Sequence, residues 1–160
     1  MNFPQDGNEA AKVRSALSSV KQRIAQAAVD FGRAVDGIEL VAVSKTFPAD
    51  IVRHALAAGQ RVFGENRVQE AHAKWPALKN EFSGVELHLV GPLQSNKCRE
   101  AMALFDVIET VDRLKIAEEI AKEHAASEKT ISEQYKRQVG MLQTLVELGD
   151  KQLSSAKEQL

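Results

Sequence analysis

A single cysteine, Cys98, stands among the 160 residues, so no intrachain disulfide can form. The chain is therefore not a disulfide-stapled secreted module. No apolar run approaches the roughly 18–20 residues that a membrane-spanning helix requires. Charge of one sign is missing too: 21 Lys and Arg face 22 Asp and Glu, a formal net charge of −1. Proteins built mainly to hold nucleic acid or an anionic membrane carry a basic excess, so neither partner is expected. The opening Met1-Asn2-Phe3-Pro4-Gln5-Asp6 lacks the basic-then-apolar order of a signal peptide, which sets the expectation of a soluble, cytoplasmic protein. What the sequence does hold is 44% hydrophobic and 27% charged residues, the balance of a globular domain large enough for a sizeable core.

Residues 9–35 carry a helical period. Val13, Leu17, Val20, Ile24, Ala28 and Phe31 recur at spacings of three and four, which places them on one face. The helix should stop near Gly32 to Gly37, where two glycines and Asp36 gather. Four short apolar runs follow, Ile38–Val43, Arg61–Phe63, Val85–Val90 and Val107–Val111. Each precedes a helical pattern: Ala49–Ala58, Arg67–Phe82, Asn96–Leu104 and Arg113–His124. Strands alternating with helices predict an α/β fold with a parallel sheet and right-handed crossovers. Pro48 suits a helix start, Gly59 a helix end and Asp112 an N-cap. After His124 the rhythm breaks. Ile131, Tyr135, Val139, Leu142, Val146 and Leu153 fall roughly on one helical face, interrupted by Gly140 and Gly149. The expected division is thus a βα domain over 1–125 and an amphipathic helical tail over 126–160.

Loops at the carboxyl ends of parallel strands form the ligand site in α/β proteins. The first such end is Val41-Ala42-Val43-Ser44-Lys45-Thr46. A lysine there is expected to be partly desolvated, which favours the neutral amine that a Schiff base requires. A plain surface lysine at a strand end would account for the spacing equally well. The second end is Phe63-Gly64-Glu65-Asn66-Arg67-Val68-Gln69-Glu70. Asn66 offers a ligand both a donor and an acceptor, or caps the following helix. The third is His88-Leu89-Val90-Gly91-Pro92-Leu93-Gln94-Ser95-Asn96-Lys97, a glycine turn running into a helix N-terminus that could hold an anion. Phosphate-cradling and dinucleotide-binding glycine motifs are absent. The histidines have no paired ligand spacing, so no metal is expected. Cys98 reads as a small apolar packer.

Together these three segments closely resemble the pyridoxal phosphate homeostasis proteins, the YggS/PROSC family. The resemblance covers about residues 9–124. It implies a fold like the first half of the alanine-racemase-like (β/α)8 TIM barrel, preceded by a long helix. It also implies pyridoxal 5′-phosphate as cofactor, held as a Schiff base on Lys45. Asn66 would lie close to the cofactor ring, and His88, Gly91, Ser95 and Asn96 of the third motif would line the same mouth. The family carries or buffers the cofactor and has no established catalysis, so the chain is not expected to be an enzyme. PLP-dependent enzymes would be the recipients.

The chain departs from that family after about His124. There the family continues for roughly four more βα units, which hold its phosphate-binding loops. Cofactor binding is therefore expected to be impaired. Four strands cannot close a barrel, which needs about eight, and a half barrel leaves strand edges and an apolar face uncovered. Self-association through that sheet or the helical tail would cover them. Two other functions stay open: a truncated fragment that binds nothing and associates through its tail, and a PLP-dependent racemase. Racemases of this barrel type use a tyrosine from a second domain, and the single tyrosine here is Tyr135 in the tail.

Overall fold

A computed structural model describes residues 6–158 of the chain, with side chains described over residues 7–143. Met1–Gln5 and the side chains of Val146 and Leu153 lie outside the described residues. Helix α1 spans Asp6–Asp30, five residues short of the expected end. Gly32 adopts a φ of 64°, and the chain reverses there. Gly32 N donates to Val29 O (3.1 Å) and Arg33 N to Ala28 O (2.8 Å), which satisfies the last carbonyls and ends the helix. Phe31 consequently falls past the helix and is 82% exposed, whereas Ala28 is buried.

Four strands follow: β1 (Ala42–Val43), β2 (Val62–Glu65), β3 (Glu86–Leu89) and β4 (Val107–Ile108). They form one parallel sheet in the order β1-β2-β3-β4, as the βα rhythm predicts. Helix α2 (Ala49–Ala57) joins β1 to β2, α3 (Val68–Glu81) joins β2 to β3, and α4 (Cys98–Leu104) joins β3 to β4. Gly59, at a φ of 90°, closes α2 in the same way as Gly32 closes α1: Gly59 N donates to Leu56 O and Gln60 N to Ala55 O, both 3.0 Å. The β1 ladder is shorter than its apolar run because a side chain takes over. Gln60 Nε2 donates to Leu40 O (2.6 Å) and Val62 O (2.8 Å).

The register sorts side chains onto two faces. Phe63 pairs with Leu87 and Glu65 with Leu89, while Gly64 pairs with His88. The Phe63–Leu87–Leu89 face carries the core: these three residues, with Leu56 of α2 and Trp75 and Leu78 of α3, are at most 1% exposed. The Phe63 and Trp75 rings lie 5.0 Å apart at 54°, a tilted contact that suits their quadrupoles. Cys98, at the start of the α4 segment, is buried, as expected of a small apolar packer. Val43, on the opposite face, is half exposed.

Helix α5 runs from Leu114 to Glu158. It does not end at His124 but continues through Gly140. The chain divides into two compact units, Met1–Ala117 and Glu118–Leu160. In the second, Ile131, Tyr135 and Leu142 are exposed. Among the described residues no helix is long and apolar enough to cross a membrane.

The two faces predict unequal costs of truncation. Leu89→Ala should lower the unfolding free energy by about 2–5 kcal/mol through transfer and cavity terms. Val43→Ala should cost about 1 kcal/mol or less, since little buried surface is lost. Equilibrium denaturation of the two variants checks the assignment, and equal losses would contradict it.

Candidate functional site

Strand β1 leads directly into a turn over Ser44–Phe47. Phe47 N donates to Ser44 O (3.2 Å), and Thr46 at the third position has a φ of 67°. A turn of this type wants glycine at that place. A β-branched residue there stores about 1–3 kcal/mol of strain, which the surroundings must hold. Lys45 is the second residue of the turn and is exposed. The partial desolvation expected of it is absent. Among the described residues its Nζ makes no hydrogen bond or ion pair.

The turn is held from beneath. Lys74 of α3 donates from Nζ to Ser44 O (2.9 Å) and to Phe47 O (3.0 Å), the first and last residues of the turn. Lys74 is only 9% exposed, and its counter-charge is Glu65 Oε1 at 2.7 Å. Glu65 ends β2 and is fully buried. The same oxygen accepts from Ser44 Oγ (2.6 Å) and Trp75 Nε1 (3.0 Å). Its other oxygen, Oε2, is buried with no partner among the described residues. Ser44 N donates to Gly64 O (2.8 Å), so every polar group of Ser44 is engaged.

Asn66 follows β2 and is half-buried. It does not cap α3: the capping position is Arg67, and no side chain fills the cap. Gly91, just after β3, lies against it. A Cβ built on Gly91 would sit 2.2 Å from Asn66 O and 2.6 Å from Asn66 Cα, so only a residue without a side chain permits this approach. The Gly91–Leu93 loop is tied in turn to the end of β4. Thr110 Oγ1 donates to Gly91 O (2.6 Å) and Arg113 Nη2 to Leu93 O (2.7 Å). Lys45, Asn66 and Gly91 therefore follow three neighbouring strands at one edge of the sheet.

The remaining expected site residues sit differently. Ser95 and Asn96 belong to a 3-10 turn, Ser95–Lys97, and the helix starts only at Cys98. Helix α4 has seven residues, so the anion-holding helix start expected at Asn96 is not formed there. His88 lies within β3, beside Gly64 and Val107, inside the apolar run Val85–Val90 read as a strand. Its Nδ1 is 2.6 Å from Glu109 Oε1 and its Nε2 2.8 Å from Glu86 Oε1. Burial lowers the pKa of His88, while the hydrogen bonds and charges of Glu109 and Glu86 raise it by more, so it titrates above the usual 6.5. The basic side chains near the strand ends are mostly committed: Arg67 to Glu70 (3.2 Å), Lys97 to Glu100 (2.7 Å) and Arg113 to Asp112 (2.6 Å). Lys45 is the exception among them. Among the described residues no group of His, Cys, Asp and Glu could hold a metal ion.

Sequence reading missed Glu65, Lys74 and Trp75. One signal was available. Ala71, Lys74, Trp75 and Leu78 are spaced as one helical stripe, and a lysine within such a stripe needs a buried partner.

No family model matches the chain. The pyridoxal phosphate homeostasis protein of Escherichia coli K12 is 47% identical over 102 residues, which are 63% of this chain and 44% of that protein. Its namesake in Pseudomonas aeruginosa is 44% identical over 110 residues, 69% of this chain and 47% of that protein. Among solved structures, PipY of Synechococcus elongatus with PLP bound superposes with a TM-score of 0.60 at 39% identity, covering 71% of this chain and 49% of PipY. An unknown protein from Bifidobacterium adolescentis gives a TM-score of 0.71 at 32% identity, covering 75% and 52%. The chain spans about half the length of the curated relatives it matches. Over that span it is homologous to the pyridoxal phosphate homeostasis proteins and shares the parallel α/β architecture of PipY.

Two predictions come from this geometry. Gly91→Ala forces a backbone shift against Asn66 and should destabilise the fold by about 1–4 kcal/mol, read as a lower unfolding midpoint. For His88, the folded pKa lies above the unfolded value of 6.5, so its stabilisation is fully present below that value and is lost as pH rises through the folded pKa. The stability difference between the native chain and His88→Gln should therefore be largest between about pH 5 and 6.5 and shrink at alkaline pH. A difference that grows with pH would contradict the assignment.

Proposed function

We propose that this chain carries the lysine side of a pyridoxal 5′-phosphate site and serves cofactor homeostasis, holding the aldehyde without catalysing a reaction on it. The observation that carries this reading is Lys45. Among the described residues it stands unpaired, on a held turn at the carboxyl end of β1, while cations at the other strand ends are bound to carboxylates. The residues present fit the aldehyde side of the cofactor. An exposed amine meets no competing carboxylate, and the half-buried Asn66 at the next strand end can offer a hydrogen bond to a ring substituent. Lys45 would hold the cofactor through its amine, and the cofactor would supply the aldehyde group for that amine to bond, with loss of one water. Gly91 lies against Asn66, and in this reading Ser95 and Asn96 line the same mouth. His88 is held between Glu86 and Glu109, beside Gly64 of the neighbouring strand.

In this reading the four βα units correspond to the first half of an alanine-racemase-like barrel. Residues 1–125 form the partial cofactor domain and residues 126–160 a helical tail used for self-association. The setting is the cytoplasm, and the cofactor passes to PLP-dependent enzymes. The phosphate side is weak, since Arg67, Lys97 and Arg113 are already paired.

Incubation with pyridoxal 5′-phosphate followed by borohydride should fix the cofactor mass on Lys45. Lys45→Ala should abolish that label with an unchanged far-UV spectrum. Label spread evenly over surface lysines would remove the site. In parallel titrations, unphosphorylated pyridoxal should bind within about tenfold of the phosphorylated form, a difference below ~1.4 kcal/mol. A strong preference for the phosphate would show an anion site that the pairings above do not provide.

A further inference from the structure

We infer that Glu65 is the positioning residue for Lys45, acting through Ser44 and Lys74 rather than by touching the ligand. The inference rests on the reading of Lys45 as the cofactor's lysine. Glu65 has no exposure to water, and its single engaged oxygen takes Ser44 Oγ, Trp75 Nε1 and Lys74 Nζ. The Lys74 ammonium in turn bonds both ends of the Lys45 turn, Ser44 O and Phe47 O. Thr46, inside that turn, sits at a φ of 67° and would relax if the ends were freed. Relaxation at Thr46 re-aims the residue before it, which is Lys45.

All three donors converge on the one oxygen Oε1 of Glu65, so neutralising the carboxylate weakens every tie at once. Without the negative charge, a lysine this buried turns toward water, and both turn carbonyls lose a donor together. The sheet itself need not follow. Ser44 N still bonds Gly64 O, and Asp106 N still bonds Leu87 O. Loss of Glu65's charge therefore loosens the turn while the ladder stays closed, which separates positioning from plain structural support.

The test uses the full chain, with amide hydrogen exchange as a readout that needs no cofactor. In Glu65→Gln, exchange at Phe47 should rise by at least about tenfold while exchange at Asp106 stays close to native. The share of borohydride-fixed pyridoxal 5′-phosphate found on Lys45 should fall in the same variant. A folded Glu65→Gln with native exchange at Phe47 and native labelling overturns the inference, and so does equal acceleration at Phe47 and Asp106. If Glu65→Gln does not fold, Lys74→Gln, which removes the ammonium that bonds both turn carbonyls, decides: faster exchange confined to Phe47 supports the role, and native exchange overturns it. Should the native chain fail to label at Lys45, the cofactor reading falls, while exchange at Phe47 still decides what Glu65 holds.

Discussion

Burying a carboxylate obliges the surrounding chain to answer it. Glu65 lies out of reach of water at the end of β2, and an unpaired charge there would cost several kcal/mol. The answer comes from three donors on two pieces of chain: Ser44 after β1, and Lys74 and Trp75 on α3. Each donor ties in a further part of the structure. Trp75 brings its ring onto Phe63, Ser44 brings the end of β1, and Lys74 brings a cation that spans the next turn. The strain at Thr46 is tolerable only because that turn is gripped at both ends.

The other strand ends are joined by a different device, close backbone approach and single donors to carbonyls. Gly91 lets the β3 loop lie on Asn66. Thr110 and Arg113 then reach back from beyond β4 to Gly91 O and Leu93 O. Each strand end is thus tied to its neighbour. Within this edge, charges are largely neutralised in pairs. That leaves Lys45 chemically distinct without any burial of its own side chain.

Much of the fold was legible because it is written in period. Apolar runs separated by helical stripes specify a parallel βα sheet, and Gly59 marks a helix end by a backbone conformation other residues avoid. Boundaries were less legible because side chains set them. Gln60 takes over where the β1 ladder stops, and β2 runs on to Glu65 because tertiary partners make its carboxylate tolerable in the interior. The strand-end segments were visible as motifs, but their support was not. In sequence Glu65 looks like loop, and the stripe that holds Lys74 asks for a buried partner without naming it; folding supplies Glu65. The expected cap at Asn66 and the expected helix start at Asn96 failed for a related reason. Local cap preferences are weak beside the tertiary ties of these loops: the Gly91 contact at Asn66, and the Arg113 bond to Leu93 O ahead of Asn96.

The strand order has a consequence for how such a sheet is assembled and inherited. Because β1, β2, β3 and β4 pair strictly in succession, each strand needs only the one before it as a template. Closure entropy is incurred in modest, similar steps rather than in one long loop. The growing chain can add units as they emerge during synthesis. The register of the inner pairs does not depend on how many units follow, so a gene can gain or lose a βα unit beyond β4 without rewriting Ala42 against Phe63 or Leu87 against its neighbour.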